Sequence, residues 1–98
     1  MKAYRHLVKY ALKNNCTVSV WDGEEWQVKR SVSFKAIDDA INSVDEAQLR
    51  IRQGDAVVGW ALVSNDISFE DDETVIDNTV NDFMNAWEGS YWSNPVAV

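Results

Sequence analysis

A single cysteine in 98 residues cannot form a disulfide within the chain or a thiolate zinc centre of one chain. One proline and four glycines argue against a fibrous or unfolded polymer. No apolar run approaches the roughly 20 residues needed to span a bilayer. The opening MKAYRHLVKYALKNN is charged where an export signal needs an apolar stretch, so a soluble, cytoplasmic protein is expected. Histidine is almost absent too. His6 has no carboxylate or second ligand at helical spacing, which argues against a hydrolytic triad and against general acid–base work. No glycine-rich phosphate loop is present. The acids Asp71, Asp72, Glu73 and Asp77 lack the glycine and closing glutamate of a calcium loop, and are expected to cap a helix and carry surface charge. Cys16 opens the apolar face of a strand and is expected to be an inert buried thiol. No enzyme activity, catalytic residue, cofactor or metal is expected.

Two excesses stand against these absences. The net charge is −7, and it is unevenly laid out. Residues 1–35 hold seven bases and three acids, a balance of +4, whereas residues 36–98 hold two bases and thirteen acids, a balance of −11. From Asp66 to Glu88 there are eight acids and no base. Such a field repels nucleic acid overall and attracts basic protein surfaces. The bland alternative is a solvated face that keeps a small domain soluble. The second excess is the set Trp21, Trp26, Trp60, Trp87 and Trp92. Most are expected in the core, leaving one or two for a partner, because tryptophan is enriched among interface hot spots.

Periodicity predicts a single α+β domain over 1–98 built on a tandem repeat. Tyr4, Leu7, Val8 and Ala11 make a helical stripe over residues 2–14, and Ile37, Ala40, Ile41 and Val44 repeat it over 34–44 behind the cap Ser33. Each helix precedes two alternating runs, 16–21 with 25–32 and 47–53 with 56–64. The αββ units 1–32 and 33–64 are expected to form a four-stranded antiparallel sheet with both helices on one face. Apolar-on-apolar register pairs Val18 with Val28, Val20 with Trp26, Leu49 with Trp60 and Ile51 with Val58. The packed face then carries Val18, Val20, Trp26, Val28, Leu49, Ile51, Val58, Trp60 and Leu62. The second face carries Trp21, Lys29, Arg50 and Arg52 with the apolar trio Val57, Ala61 and Val63, to be covered by a third helix or another chain. That trio, with the opposed charge of the chain ends, predicts a homo-oligomer, most simply a dimer. An acidic C-terminal helix is predicted over 71–88 with the stripe Ile76, Val80, Phe83, Met84 and Trp87. Gly89 ends it, before a tail at 89–98 that contains Pro95.

The segments Asp22–Ser31, Ala47–Arg52, Gly59–Val63 and Glu73–Trp87 resemble small uncharacterised acidic proteins encoded by tailed bacteriophages, over about residues 7–87. The resemblance implies an accessory protein acting in the host bacterial cytoplasm, and it carries over no activity and no functional residue. The function expected is binding of a host or phage protein through an acidic helical surface, in one form as a mimic of DNA charge. Asp72, Asp77, Asp82 and Glu88 supply the charge and Trp92 an anchor at the rim. The alternatives are a nucleic-acid-binding accessory using the basic stripe Lys2, Arg5, Lys9 and Lys13 with Lys29 and Arg30, and an oligomeric module holding a small ligand between aromatic side chains. No membrane partner is expected.

Overall fold

The computed structural model describes residues 1–93. Its elements run α1 (Ala3–Lys13), β1 (Thr17–Trp21), β2 (Trp26–Ser31), α2 (Phe34–Asn42), β3 (Glu46–Gln53), β4 (Ala56–Ser64), a 3-10 turn at Asp71–Glu73, β5 (Val75–Asn78) and α3 (Asp82–Ser93). The helix–strand–strand order occurs twice, as the periodicity predicts. The sheet is antiparallel and has five strands rather than four, in the order β2-β1-β3-β4-β5.

The helices form where the stripes place them. α1 buries Tyr4, Leu7, Val8 and Ala11, and α2 buries Ile37, Ala40 and Ile41 behind Ser33, whose hydroxyl accepts the Ala36 N–H. Ile37, Ile41, Leu7, Val18, Val20, Leu49 and Ile51 are all sealed from water in one core. Tyr4 joins the two helices, its hydroxyl donating to Asp38 at 2.8 Å while Arg5 pairs with the same carboxylate at 3.1 Å. Burial, then the Asp38 bond, pushes the Tyr4 phenol above its usual range.

The register departs from expectation in both hairpins. In the first, Trp21 pairs with Trp26, Val20 with Val28 and Val18 with Ser31. Asp22 is the cause at the turn: its carboxylate accepts the N–H groups of Glu24 and Glu25, so residues 22–25 form the connection. Two irregularities follow in β2. At the second, Arg30 adopts φ 47° and donates its N–H to Ser19 Oγ. Val18 and Val28 keep a common face as expected, because Val28 sits opposite Val20, but Trp26 moves to the other face.

In the second hairpin Gln53 pairs with Ala56 and Arg52 with Val57, consistent with the two-residue turn at Gly54-Asp55. A bulge then intervenes, and Ile51 pairs with Gly59, Leu49 with Ala61 and Ala47 with Val63. One inserted residue flips every later side chain to the opposite face. Gly59, Ala61 and Val63 therefore pack under the helices, and Trp60 and Leu62 do not. Val58, at the bulge, packs partly against the core. Gly59 suits this close approach, since a Cβ would lie 2.6 Å from Met84 Sδ of α3 and would force it to shift. Ala61 and Val63 are covered by their own chain, which leaves only Val57 of the apolar trio exposed.

The predicted helix at 71–88 divides. The β-branched run Thr74-Val75-Ile76 suits a strand better than a helix. Val75–Asn78 adds to the edge of β4, with Asp77 opposite Leu62. Just before it, the buried Thr74 turns back to α1, which has no side-chain cap of its own; Thr74 Oγ1 accepts the Tyr4 N–H at 3.2 Å. α3 begins only at Asp82, after Asn81 accepts the Met84 N–H. It buries Met84, Trp87 and Tyr91, leaves Ile76 and Val80 outside the helix and exposed, and continues through Gly89 to Ser93. The remainder of the predicted tail, with Pro95, lies outside the described residues.

Candidate binding face

All three helices lie on the same side of the sheet: α1 and α2 over β1, and α3 against β4 and α1. No described helix covers the opposite face. Its side chains fall in cross-strand rows set by the observed register. One row runs Trp26, Trp21, Gln48, Leu62 and Asp77, and the next runs Ser19, Arg50 and Trp60. Thr17, Arg52 and Val57 make a third.

The three tryptophans here are half-buried, each with an edge or a face toward water. Trp21 and Trp26 meet edge-to-face at 5.1 Å, and the Arg50 guanidinium lies 4.9 Å from the centre of the Trp26 ring. The Trp60 indole N–H donates to Gln48 Oε1 at 3.1 Å. The backbone of Trp60 is tied to the segment after β5, because its carbonyl accepts the Thr79 N–H and its own N–H donates to Thr79 Oγ1. Asn81, which caps α3, also donates its side-chain amide to the carbonyl of Val58 at the bulge. The segment after β5 thus secures both α3 and the bulge that turns Trp60 outward.

A depression of about 290 Å³ is lined by Trp21, Trp26, Gln48, Arg50 and Trp60. A neighbouring one of about 370 Å³ shares Trp26 and Arg50 and is bordered by Ser19, Lys29, Arg30 and Arg52. Both are open and shallow, unlike the enclosed clefts that bury most of a small ligand. The cations Lys29, Arg30, Arg50 and Arg52 gather here although the molecule is acidic, and Asp55 pairs with Arg30 at 3.2 Å. Asp22 borders the face at the β1–β2 turn, its carboxyl held below the usual range by the Glu25 and Glu24 N–H groups and then by Gln27.

The residues expected to form an acidic helical surface occupy several elements. Asp72 is in the 3-10 turn, Asp77 on β5, Asp82 opens α3, and Glu88 and Trp92 lie further along it. Among the described residues none of the four acids forms an ion pair. Asp72, with Asp71, approaches α3 near Tyr91, whose phenol is raised by burial and then by these carboxylates. Trp92 is 59% exposed, and Val80 is 85% exposed between the acids. The basic stripe of α1 is partly committed to the fold, with Arg5 on Asp38 and Lys9 over the Phe34 ring at 5.1 Å. Cys16 is buried, and burial raises its thiol above the ordinary range. His6 accepts the Trp87 indole N–H on Nδ1 at 3.1 Å.

The sequence already places Trp21, Lys29, Arg50 and Arg52 on the second face. It misplaces Trp26 and Trp60, because each crosses over at a bulge. The one available signal is Gly59, an isolated glycine inside a strand pattern, which marks a bulge or a close backbone approach. No match is found among protein-family models, curated proteins or solved structures. No helix among the described residues is long and apolar enough to cross a membrane, and no cluster of metal-ligating side chains occurs among them.

Proposed function

We propose that this protein is a binding module, without catalytic chemistry of its own, whose working surface is the open face of the sheet. The observation that carries this is the layer formed by Trp21, Trp26 and Trp60 around Arg50 on a face that no described helix covers. Aromatic side chains and arginine are the residue types that dominate binding energy when a partner desolvates them. The strands under Trp21 and Trp60 are hydrogen-bonded on both sides within the sheet, so little backbone ordering is needed on contact. In the setting implied by the resemblance to phage-encoded proteins, the module is an accessory acting on a host or phage macromolecule in the bacterial cytoplasm.

A photo-crosslinking amino acid tests the face directly. Placed at Leu62 on the open face, it should capture a macromolecule from bacterial lysate; placed at Asp39 on the exposed side of α2, it should not. Arg50→Ala should abolish the adduct at position 62. Equal capture at both positions, or capture indifferent to Arg50, would contradict the proposal.

A second reading keeps the acidic region as a docking surface for a basic protein. It is favoured by the unpaired carboxylates of Asp72, Asp77, Asp82 and Glu88 beside the exposed Ile76, Val80 and Trp92. Charge there would chiefly speed association, and the apolar groups would slow release. Changing Asp72, Asp77 and Asp82 together to asparagine removes charge with little change of shape. Retention of every partner by the folded triple variant rules this reading out.

A further inference from the structure

We propose that the partner of the open sheet face is a single-stranded nucleic acid, with bases stacked on Trp26, Trp21 and Trp60 and phosphates held by Arg50, Arg52, Lys29 and Arg30. The assignment rests on that face being the working surface, and it names the partner's chemistry. Three features of the face select it over other occupants.

The first is the grouping of three indoles around one guanidinium, that of Arg50, which lies over Trp26. Every base presents a π face, so tryptophan platforms bind unpaired bases with little regard to sequence, and neighbouring cations track the backbone. From Trp26 on β2 to Trp60 on β4 the sheet spans three strand spacings, about 14 Å. That is wide enough for several bases of an extended strand. Arg50 lies between them, its guanidinium 4.9 Å from the centre of the Trp26 ring and in no ion pair among the described residues. In a duplex the base faces are already stacked on one another, so the platform has nothing to receive from it.

The second feature is local charge. The molecule carries −7, yet Lys29, Arg30, Arg50 and Arg52 share one face, and one acid, Asp55, pairs with them among the described residues. Asp22 and Asp77 stand at the margins of the same face, and screening over roughly 8–10 Å at physiological salt weakens their influence and that of the more distant acids on a phosphate seated at Arg50. The unfavourable net field limits the affinity and makes it sensitive to salt.

The third feature is what the face cannot take. β1, β3 and β4 are hydrogen-bonded on both sides, so an extended acidic peptide finds no free backbone ladder beneath Trp21, Arg50 and Trp60; of the strands that carry this layer only β2, under Trp26, has an open edge. A second copy stacked face to face by two-fold symmetry would bring the same four cations together.

The test is a fluorescence-anisotropy titration of a labelled 15-nucleotide oligothymidylate and of a duplex of equal length, at 50 and 200 mM salt. Circular dichroism confirms that each variant is folded. The wild-type chain should bind the single strand with quenching of its tryptophan emission, and at least tenfold more tightly than the duplex. With about three phosphate contacts, affinity should fall about 20-fold between the two salt concentrations. Arg50→Ala should weaken binding about tenfold, and the double variant Lys29→Gln/Arg52→Gln should do so independently. Lys9→Gln/Lys13→Gln on α1 should leave it unchanged. Absence of binding by the folded wild type at 50 mM salt, preference for the duplex, or weakening confined to the α1 variant would each overturn the assignment. If oligonucleotides fail while the Leu62 crosslink to a protein persists and depends on Arg50, the nucleic-acid assignment falls and the binding face stands.

Discussion

Gly59 shows how one residue connects the core to the open face. It packs against Met84, and its strand neighbour Trp60 points the other way. Gly59→Ala would place a methyl group 2.6 Å from a buried sulfur, so Met84 or α3 must shift. Overpacking of this kind costs about 1–3 kcal/mol. Chemical denaturation should show that loss, and Met84→Ala in the same chain should make the added methyl nearly neutral relative to Met84→Ala alone. His6 is the second residue with a measurable consequence. Burial, and then the chain's amino group, lower its pKa from the usual 6.5. The folded state therefore holds the neutral ring, whose Nδ1 receives the Trp87 N–H. The unfolded chain takes up the proton more readily, so this contribution is complete above pH 6.5 and is lost as pH falls through the lower folded-state value. Thermal melts at pH 7.5 and about 5.5 should show a drop that His6→Gln reduces; an identical drop in both proteins would exclude His6 as its source.

At the scale of elements, α1 and α2 were legible because a stripe at three- and four-residue spacing has one way to bury itself. Leu7 and Ile41, both sealed from water, should each cost about 2–5 kcal/mol on truncation to alanine. Phe83, expected in the core on the same grounds, is only half-buried, edge-on to Tyr10 at 5.4 Å. Its alanine variant should lose less than either of the others in denaturant titrations. α3 departs from its predicted bounds at both ends. Its predicted start is a cap for α1 and an edge strand, roles that depend on residues some 70 positions away in the chain. Its predicted stop, Gly89, lies inside the helix, where a Cβ would meet nothing. Gly89→Ala should therefore stabilise the protein by about 0.5–1 kcal/mol, by lowering the entropy of the unfolded chain and raising helix propensity. A fall in the unfolding midpoint would mean that α3 does not continue through this position.

For the whole molecule, charge segregation has a thermodynamic consequence. Carboxylates from Asp66 to Glu88 lack a base in their own segment, and the described ion pairs lie elsewhere. Self-repulsion destabilises a compact state of net charge −7. Raising sodium chloride from 20 to about 300 mM should therefore raise the midpoint of thermal unfolding, since screening shortens the range of repulsion. The triple change of Asp72, Asp77 and Asp82 to asparagine should remove much of that salt response. An unchanged midpoint would show that these acids are too far apart to repel one another.

What the sequence determined by itself is the part governed by local periodicity and composition: the mixed class, two helices with their buried faces, four strands, and the separation of basic and acidic halves. Each follows from neighbours within about four residues, where side-chain direction is set by the helix or strand period. Tertiary structure decided which way the tryptophans point. Trp26 and Trp60 occupy strands whose local pattern suits either face, and bulges chose between them. Those bulges are held by distant groups, Ser19 receiving the N–H of Arg30 and Asn81 bonding the carbonyl of Val58. Their stabilisation is a property of the assembled fold. The face that unites Trp21, Trp26, Trp60 and Arg50 therefore exists only once the sheet has closed around them.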